Sequence, residues 1–427
     1  MPAPEQPLPT SSLRRHEVAR VELGATTVRP ATMRVLLAAF LAAIVAVPVI
    51  EWTGVRALIQ EHAAGVEPGP AGAGLWRRTI TANRSLLAGF NAFERALEQE
   101  SRLGQWLRPL AQTTLTAWLG AGNERVYPGR DGWLFYRPDV EYLTEAGFLD
   151  PREHTRRIAA AAEWEAPPQP DPRPAIIQLA RDLEARGVVL IVVPVPLKPG
   201  VHPERLTDRY EAAAGVLHNP SYGDFVEELE RARVLVFDPS DVLASGGAAP
   251  RYLEADTHWR PEAMERVAER LGDFIEASVP LPAAPDPAYV IERVEVGNRG
   301  DTVLMLDLPP GSRLFPPEQV WLRRVLRPDG SLWRSSPDAD VLLLGDSFSN
   351  IYSLASMGWG TSAGFAEQLS YALRRPVDRL LQNDDGAFAT RAMLQSDPAR
   401  LDGTRVVVFQ FAARELAFGD WKMLPLR

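Results

Sequence analysis

Four short stretches of the chain are apolar at nearly every position: Val188 to Val195, Val234 to Phe237, Val341 to Leu344 and Arg405 to Phe411. They are too short for helices and lack the alternation of a half-exposed strand, so they predict strands buried on both faces. Between them Ile176 to Arg186, Tyr222 to Arg231 and Pro261 to Ala277 carry apolar residues at helical spacing. Greasy strands separated by amphipathic helices predict an α/β domain built on a mainly parallel sheet with helices on both faces. From Pro280 to Pro337 the pattern changes to short alternating pieces, Tyr289 to Val296 and Val320 to Val325, broken by Pro and Gly. That reads as a small antiparallel insertion near the sheet edge, at about 280–337. No period repeats, which argues against solenoids and propellers.

Ahead of this region the chain divides further. Residues 1–32 carry Pro2, Pro4, Pro7 and Pro9 with mixed charge and read as a disordered tail. Met33 to Ile50 is apolar except for Arg34, close to the ~20 residues that span a bilayer and longer than a signal-peptide core. Arg14, Arg15, Arg20, Arg29 and Arg34 precede it and no similar cluster follows. The positive-inside rule then predicts a transmembrane helix at 33–55, a cytoplasmic tail and everything later outside; a cleaved export signal and a buried soluble helix are the alternatives. Residues 56–122 read as a Gly/Pro/Ala linker followed by helix from Trp76 to Leu119. Turn residues Pro128, Gly129, Asp131 and Gly132 before an aromatic strand mark the start of the main domain, 123–427.

Composition removes several chemistries. There is no cysteine, hence no disulfide, thiolate metal site or cysteine nucleophile. Net charge is −9, which gives no basic character for nucleic-acid binding. Among 46 cationic residues only Lys198 and Lys422 are lysine. A residue that escapes such a bias is a candidate for needing a compact ammonium, although two lysines also survive by chance.

Gly345, Asp346 and Ser347 follow the strand Val341 to Leu344 directly. They land at the carboxyl edge of the sheet, where open α/β sheets hold ligands. Ser347 there is either a nucleophile whose oxyanion meets backbone donors or, with Asp346, an ordinary cap. Of six histidines, His258 stands out in Asp256-Thr257-His258-Trp259, on a loop leading into the helix that Pro261 begins. Asp256 lies two residues earlier, so in extended chain both side chains project the same way. A carboxylate can then hold one imidazole nitrogen while the other faces a hydroxyl. The competing readings are a satisfied histidine packed beside Trp259 and a metal ligand; no set of spaced partners supplies the remaining ligands of a metal site, and no cofactor is implied.

These residues are familiar together. Gly345-Asp346-Ser347 resembles the nucleophile block of SGNH hydrolases, and an Asp-x-His pair upstream of the serine resembles the AlgJ/AlgX-like alginate O-acetyltransferase family, a permuted order. Gly129 to Tyr136, Val193 to Pro203, Phe411 to Leu416 and Gly419 to Lys422 resemble it as well, so the likeness spans about 123 to 427. The resemblance implies an SGNH-like fold with Ser347 as nucleophile, His258 as general base and acid, and Asp256 as its orienter. It implies an acetyl-serine enzyme of the periplasmic face, an exported polysaccharide as acceptor, and a membrane-bound O-acyltransferase that supplies acetyl groups. A carbohydrate esterase and a non-catalytic polysaccharide-binding scaffold are the other readings. Arg414 matches a family position that binds substrate or supports the oxyanion, or else it forms a salt bridge to Glu415 or another acid. Lys198 holds an acidic sugar or satisfies loop carbonyls, and Asp346 is a third candidate for contacting the substrate or the oxyanion. Asn350 and Asn383 are candidates for the oxyanion donor that the sequence does not otherwise locate, and the extra carbohydrate-binding module of some members is not apparent.

Overall fold

The structure is a computed structural model that describes residues 31–42, 45, 102–161, 166–210, 215–245, 249–384 and 386–426. It separates into two units, Met1–Leu107 and Arg108–Arg427. In the first, residues 31–42 and 45 are helical and exposed. Among the described residues no helix is long and apolar enough to cross a membrane. The rest of the expected 33–55 anchor, most of the tail, and the linker and helical stretch before Arg102 lie outside the described residues.

The second unit is organised by a parallel sheet. Strands β3 (Val189–Val195), β4 (Leu235–Val236), β7 (Val341–Gly345), β8 (Asp378–Leu381) and β9 (Val406–Ala412) lie in the order β4-β3-β9-β7-β8, and every pairing is parallel. All positions of β7 and β9 are buried, as are the last six of β3. Burial of this kind requires cover on both faces, which is why these strands read as unbroken apolar runs. The covering helices include Pro172–Glu184, Tyr222–Arg231, Pro261–Ser278, Phe365–Leu373 and Ala389–Ser396. The first begins four residues before its apolar stripe, because the Asp171 side chain accepts from the Arg173 amide and Pro172 fits the opening turn.

β8 was not visible as a strand. Its Asp378 and Arg379 break the apolar run, yet Asp378 is buried, paired with Arg400 and accepting from the Ser335 hydroxyl. The last strand in sequence, β9, sits in the middle. The chain therefore runs outward from β3 to β4 on one side and from β7 to β8 on the other. The carboxyl ends of β7 and β9 meet at this change of direction, the place where such sheets open a crevice.

Two smaller sheets complete the unit. β1 (Val126–Pro128) and β2 (Leu134–Tyr136) form a hairpin. β5 (Val290–Asn298) and β6 (Glu318–Leu326) form the expected antiparallel insertion. It does not extend the main sheet: it is a separate two-stranded sheet against the helices Pro261–Ser278 and Phe365–Leu373. Its open end, Asn298 paired with Glu318, delivers the turn Arg299-Gly300-Asp301 and the short helix Asp301–Met305.

The exit from β7 fixes the site. A Cβ on Gly345 would lie 2.5 Å from Ser349 Oγ and 2.9 Å from Gln410 Oε1. Asp346 then accepts from the Phe348 amide (2.9 Å) and the Gln410 side-chain amide (2.8 Å) through one oxygen, and from the Ala412 amide (2.6 Å) through the other. This capping ties the helix Ser347–Asn350 to the end of β9. Gly345→Ala is accordingly expected to lower stability by about 1–3 kcal/mol through overpacking, read as a lower urea midpoint with unchanged slope.

Candidate active site

Ser347 and His258 reach one another because their chain neighbours pack together. Tyr252 and Trp259 form an isolated antiparallel bridge, which closes the loop carrying Asp256 and His258 before the helix at Pro261. The Trp259 indole N–H donates to the Phe348 carbonyl (3.1 Å), and the Tyr352 hydroxyl donates to the Trp259 carbonyl (2.6 Å). The Trp259 and Phe348 rings meet edge to face at 5.4 Å. The residues after His258 and after Ser347 are thus locked together, both fully buried.

The geometry that follows is a hydrogen-bonded chain. His258 Nε2 lies 2.9 Å from Ser347 Oγ, and His258 Nδ1 lies 2.6 Å from Asp256 Oδ1. An ionised carboxylate only accepts, so Nδ1 carries the proton and Nε2 presents its lone pair to the serine hydroxyl. Burial alone would depress the imidazole; the Asp256 carboxylate outweighs it and holds His258 above the usual histidine range. Burial would likewise raise Asp256, but the charge and N–H of His258, followed by the Trp359 N–H, keep it below the usual carboxylate range.

Asp256 owes its place to several groups. Its Oδ2 accepts from the Trp359 indole (2.9 Å) and from the Asp301 amide (3.1 Å). Behind it, Lys198 is fully buried and donates to the carbonyls of Leu134 (2.6 Å), Glu254 (2.7 Å) and Asp256 (3.0 Å). All three ammonium protons are taken, so Lys198 satisfies loop carbonyls and offers no hydrogen for a sugar. Burial pulls its pKa down to about 8. Asp346 is likewise fully engaged in holding β7 to β9.

Trp359, Thr257 and Asp301 are the participants that sequence reasoning missed. Asp301 Oδ1 accepts from the Thr257 amide (2.8 Å) and its Oδ2 from the Thr257 hydroxyl. Burial and the neighbouring Asp256 raise its pKa to about 6. One atom each of Asp256, His258 and Asp301 fall within 4.8 Å of one another, the spacing of a metal cluster. Every carboxylate oxygen there already accepts from a protein N–H or O–H, so the set is built as an acid–base chain. The only sequence signal for Asp301 is the turn residue Gly300 ahead of it, and for Trp359 its two flanking glycines.

Arg414 and Asn383 face the serine from other elements. A cleft of about 60 Å³ is bordered by Ser347, Gln382, Asn383, Gln410 and Arg414. The Arg414 guanidinium donates to Asp139 (3.0 Å) and lies over the rings of Tyr136 and Phe348. Its ion pair is therefore with Asp139, across 275 positions, and not with Glu415. Burial would lower Arg414, yet the Asp139 carboxylate holds it above the usual guanidinium range. Asn350 sits behind Asn383, donating to its side-chain oxygen (2.7 Å), and among the described residues the Asn383 amide group has the Met357 sulfur at 3.5 Å.

Lys198→Met would take the ammonium donor from the buried Leu134 and Asp256 carbonyls, while the Glu254 carbonyl would keep the Leu134 amide (2.8 Å). It is expected to cost about 2 kcal/mol or more in chemical denaturation.

Comparison with known proteins places this arrangement. Residues 126–413 match the family described as "SGNH hydrolase-like domain, acetyltransferase AlgX". The "Probable alginate O-acetylase AlgJ" of Pseudomonas syringae pv. tomato is 30% identical over 256 residues, covering 57% of this chain and 61% of that protein. The protein of the same name from Pseudomonas aeruginosa is 28% identical over 358 residues, 76% of this chain and 79% of the relative. The solved "O-Acetyltransferase Domain of Pseudomonas putida AlgJ" shares the fold, with a TM-score of 0.50 at 23% identity over 68% of this chain and 92% of that one. The family match covers the whole parallel sheet and all of the Asp256–His258–Ser347 constellation, and the chain belongs to the SGNH hydrolase-like, AlgX-type acetyltransferase family.

Proposed function

We propose that this protein is an O-acetyltransferase that moves acetyl groups onto hydroxyls of an exported polysaccharide, with Ser347, His258 and Asp256 as its catalytic triad. The observation that carries the reading is the continuous hydrogen-bonded chain from Asp256 through His258 to Ser347 in a member of an acetyltransferase family.

Ser347 Oγ attacks the acetyl carbonyl of a donor while its proton passes to His258 Nε2. The tetrahedral intermediate collapses, the leaving group takes that proton, and acetyl-Ser347 remains. A sugar hydroxyl then attacks the ester, giving its proton to Nε2, and the proton returns to Ser347 as the acetylated sugar departs. Asp256 keeps the imidazole in the required tautomer and offsets its transient positive charge. The Ser347 amide at the start of its helical turn and the Asn383 side-chain amide are the donors we assign to the oxyanion. The cleft beside Ser347 is open to solvent, so a donor and then an acceptor can reach the hydroxyl from the same side. Arg414 lines that cleft but is paired with Asp139, and Asp346, Asp384 and Glu415 line it as well, so an anionic acceptor would be held by hydrogen bonds at the site and not by general charge attraction.

The remaining parts of the reading rest on the sequence. The apolar run Met33 to Ile50 would anchor the chain in the inner membrane with the catalytic unit in the periplasm. A membrane-bound O-acyltransferase would pass acetyl groups to Ser347 there. The names of the relatives make alginate the first acceptor to try.

The test is a competition between two nucleophiles. With a chromogenic acetyl ester and polymannuronate oligosaccharides, acetyl should move to the sugar in preference to water. Ser347→Ala, His258→Ala and Asp256→Ala should each lower both reactions by roughly 10³-fold or more. Acetate release alone at saturating acceptor would make the protein an esterase. Unchanged polymer acetylation in cells carrying Ser347→Ala would make it a scaffold.

A further inference from the structure

Asp301 occupies a position that the three-residue chain does not account for. It follows Gly300, whose φ of +86° favours glycine and whose Cβ would stand 2.0 Å from the Ala255 carbonyl. That turn presses the Asp301 amide onto Asp256 Oδ2 at 3.1 Å. The Asp301 side chain then grips Thr257 by both its amide and its hydroxyl, and the hydroxyl oxygen lies 3.1 Å from His258 Nδ1. Asp301 Oδ2 is itself 3.7 Å from Nδ1. The insertion β5–β6 thus delivers a second carboxylate to the nitrogen that Asp256 already holds. The two acids differ in setting: the Asp256 side chain is 3% exposed and that of Asp301 is 28% exposed.

We propose that Asp301 is a positioning residue that clamps Thr257 against the imidazole and adds a second negative charge on the side of His258 away from Ser347, so that two carboxylates set the basicity of the ring. The inference rests on His258 being the base. When Nε2 takes the serine proton the ring gains a full positive charge, and both acids face it. Of the other charged groups, Arg414 opposes protonation of the ring, Asp139 interacts with the ring and with Arg414, and Lys198 interacts with Asp256, Asp301 and Asp139. Burial and the Asp256 charge push the Asp301 carboxyl up to about 6, so it is neutral in acid and charged above that.

The sign follows directly. A second carboxylate favours the protonated ring, so the base becomes competent only at higher pH. Removing that charge moves the acid limb of kcat/KM to lower pH. The experiment uses the full chain with labelled histidine and Ser347→Ala, following the His258 ring carbon by NMR against pH. It is paired with kcat/KM profiles for a chromogenic acetyl ester in the Ser347 form. Asp301→Asn should lower the His258 pKa by about one unit and shift the acid limb equally, with KM unchanged. Asp301→Glu should restore most of both. An unmoved titration curve and an unmoved limb would overturn the proposal.

The NMR curve needs no turnover. An inactive wild type would therefore count against the acetyltransferase reading and leave the assignment of Asp301 to be decided by the titration. If Asp301→Asn does not fold, Asp301→Ser in the Ser347→Ala background removes the same charge, and a His258 titration curve unmoved by that change would overturn the inference.

Discussion

The structure depends on keeping one carboxylate out of water. Asp256 is buried, and an ion in that position is tolerated only when donors surround it. Here the His258 ring and amide occupy one oxygen, and Trp359 and the Asp301 amide occupy the other. Because the pocket accepts nothing but donors, it orients the imidazole with its protonated nitrogen inward. The free nitrogen has one direction left, toward Ser347. The chemistry of the site is thus a consequence of how a buried charge is satisfied.

The residues of the site are delivered by different parts of the chain. β7 sets Ser347, the loop before Pro261 sets His258, the β5–β6 insertion sets Asp301, and the segment after the serine helix returns with Trp359. Lys198, after β3, holds the Asp256 loop from behind through three carbonyls. What looks like a decorated sheet edge is one polar core assembled from five elements. Partial loss of such a core is costly, because each group left behind is buried without a partner.

Much of this was legible in the chain itself. Strands buried on both faces must be continuously apolar, so β3, β7 and β9 read directly, and the residue after a strand in such a sheet must fall at its carboxyl edge. Asp256 and His258 were legible because a two-residue spacing in extended chain puts both side chains on one side. The strand β8 was hidden by Asp378 and Arg379, whose charges are neutralised by Arg400 and Glu367 rather than by solvent. Asp301 and Trp359 lie 45 and 103 positions from Asp256, and no local rule connects residues so distant. Lys198 was noticed for its rarity, but the choice between sugar and carbonyls required its three partners. Arg414 could be read from the chain as an ion-pairing residue, but its partner Asp139, 275 positions away, could not.

The central claim is that Ser347 carries the acyl group. The full chain should be mixed with a chromogenic acetyl ester without acceptor, quenched in acid within the burst, and digested for peptide mass spectrometry. The account predicts one added acetyl group on the peptide at Ser347, lost when an oligosaccharide acceptor is supplied before the quench. Turnover of the ester with Ser347 unmodified at every time, or with the acetyl group on another residue, would contradict it.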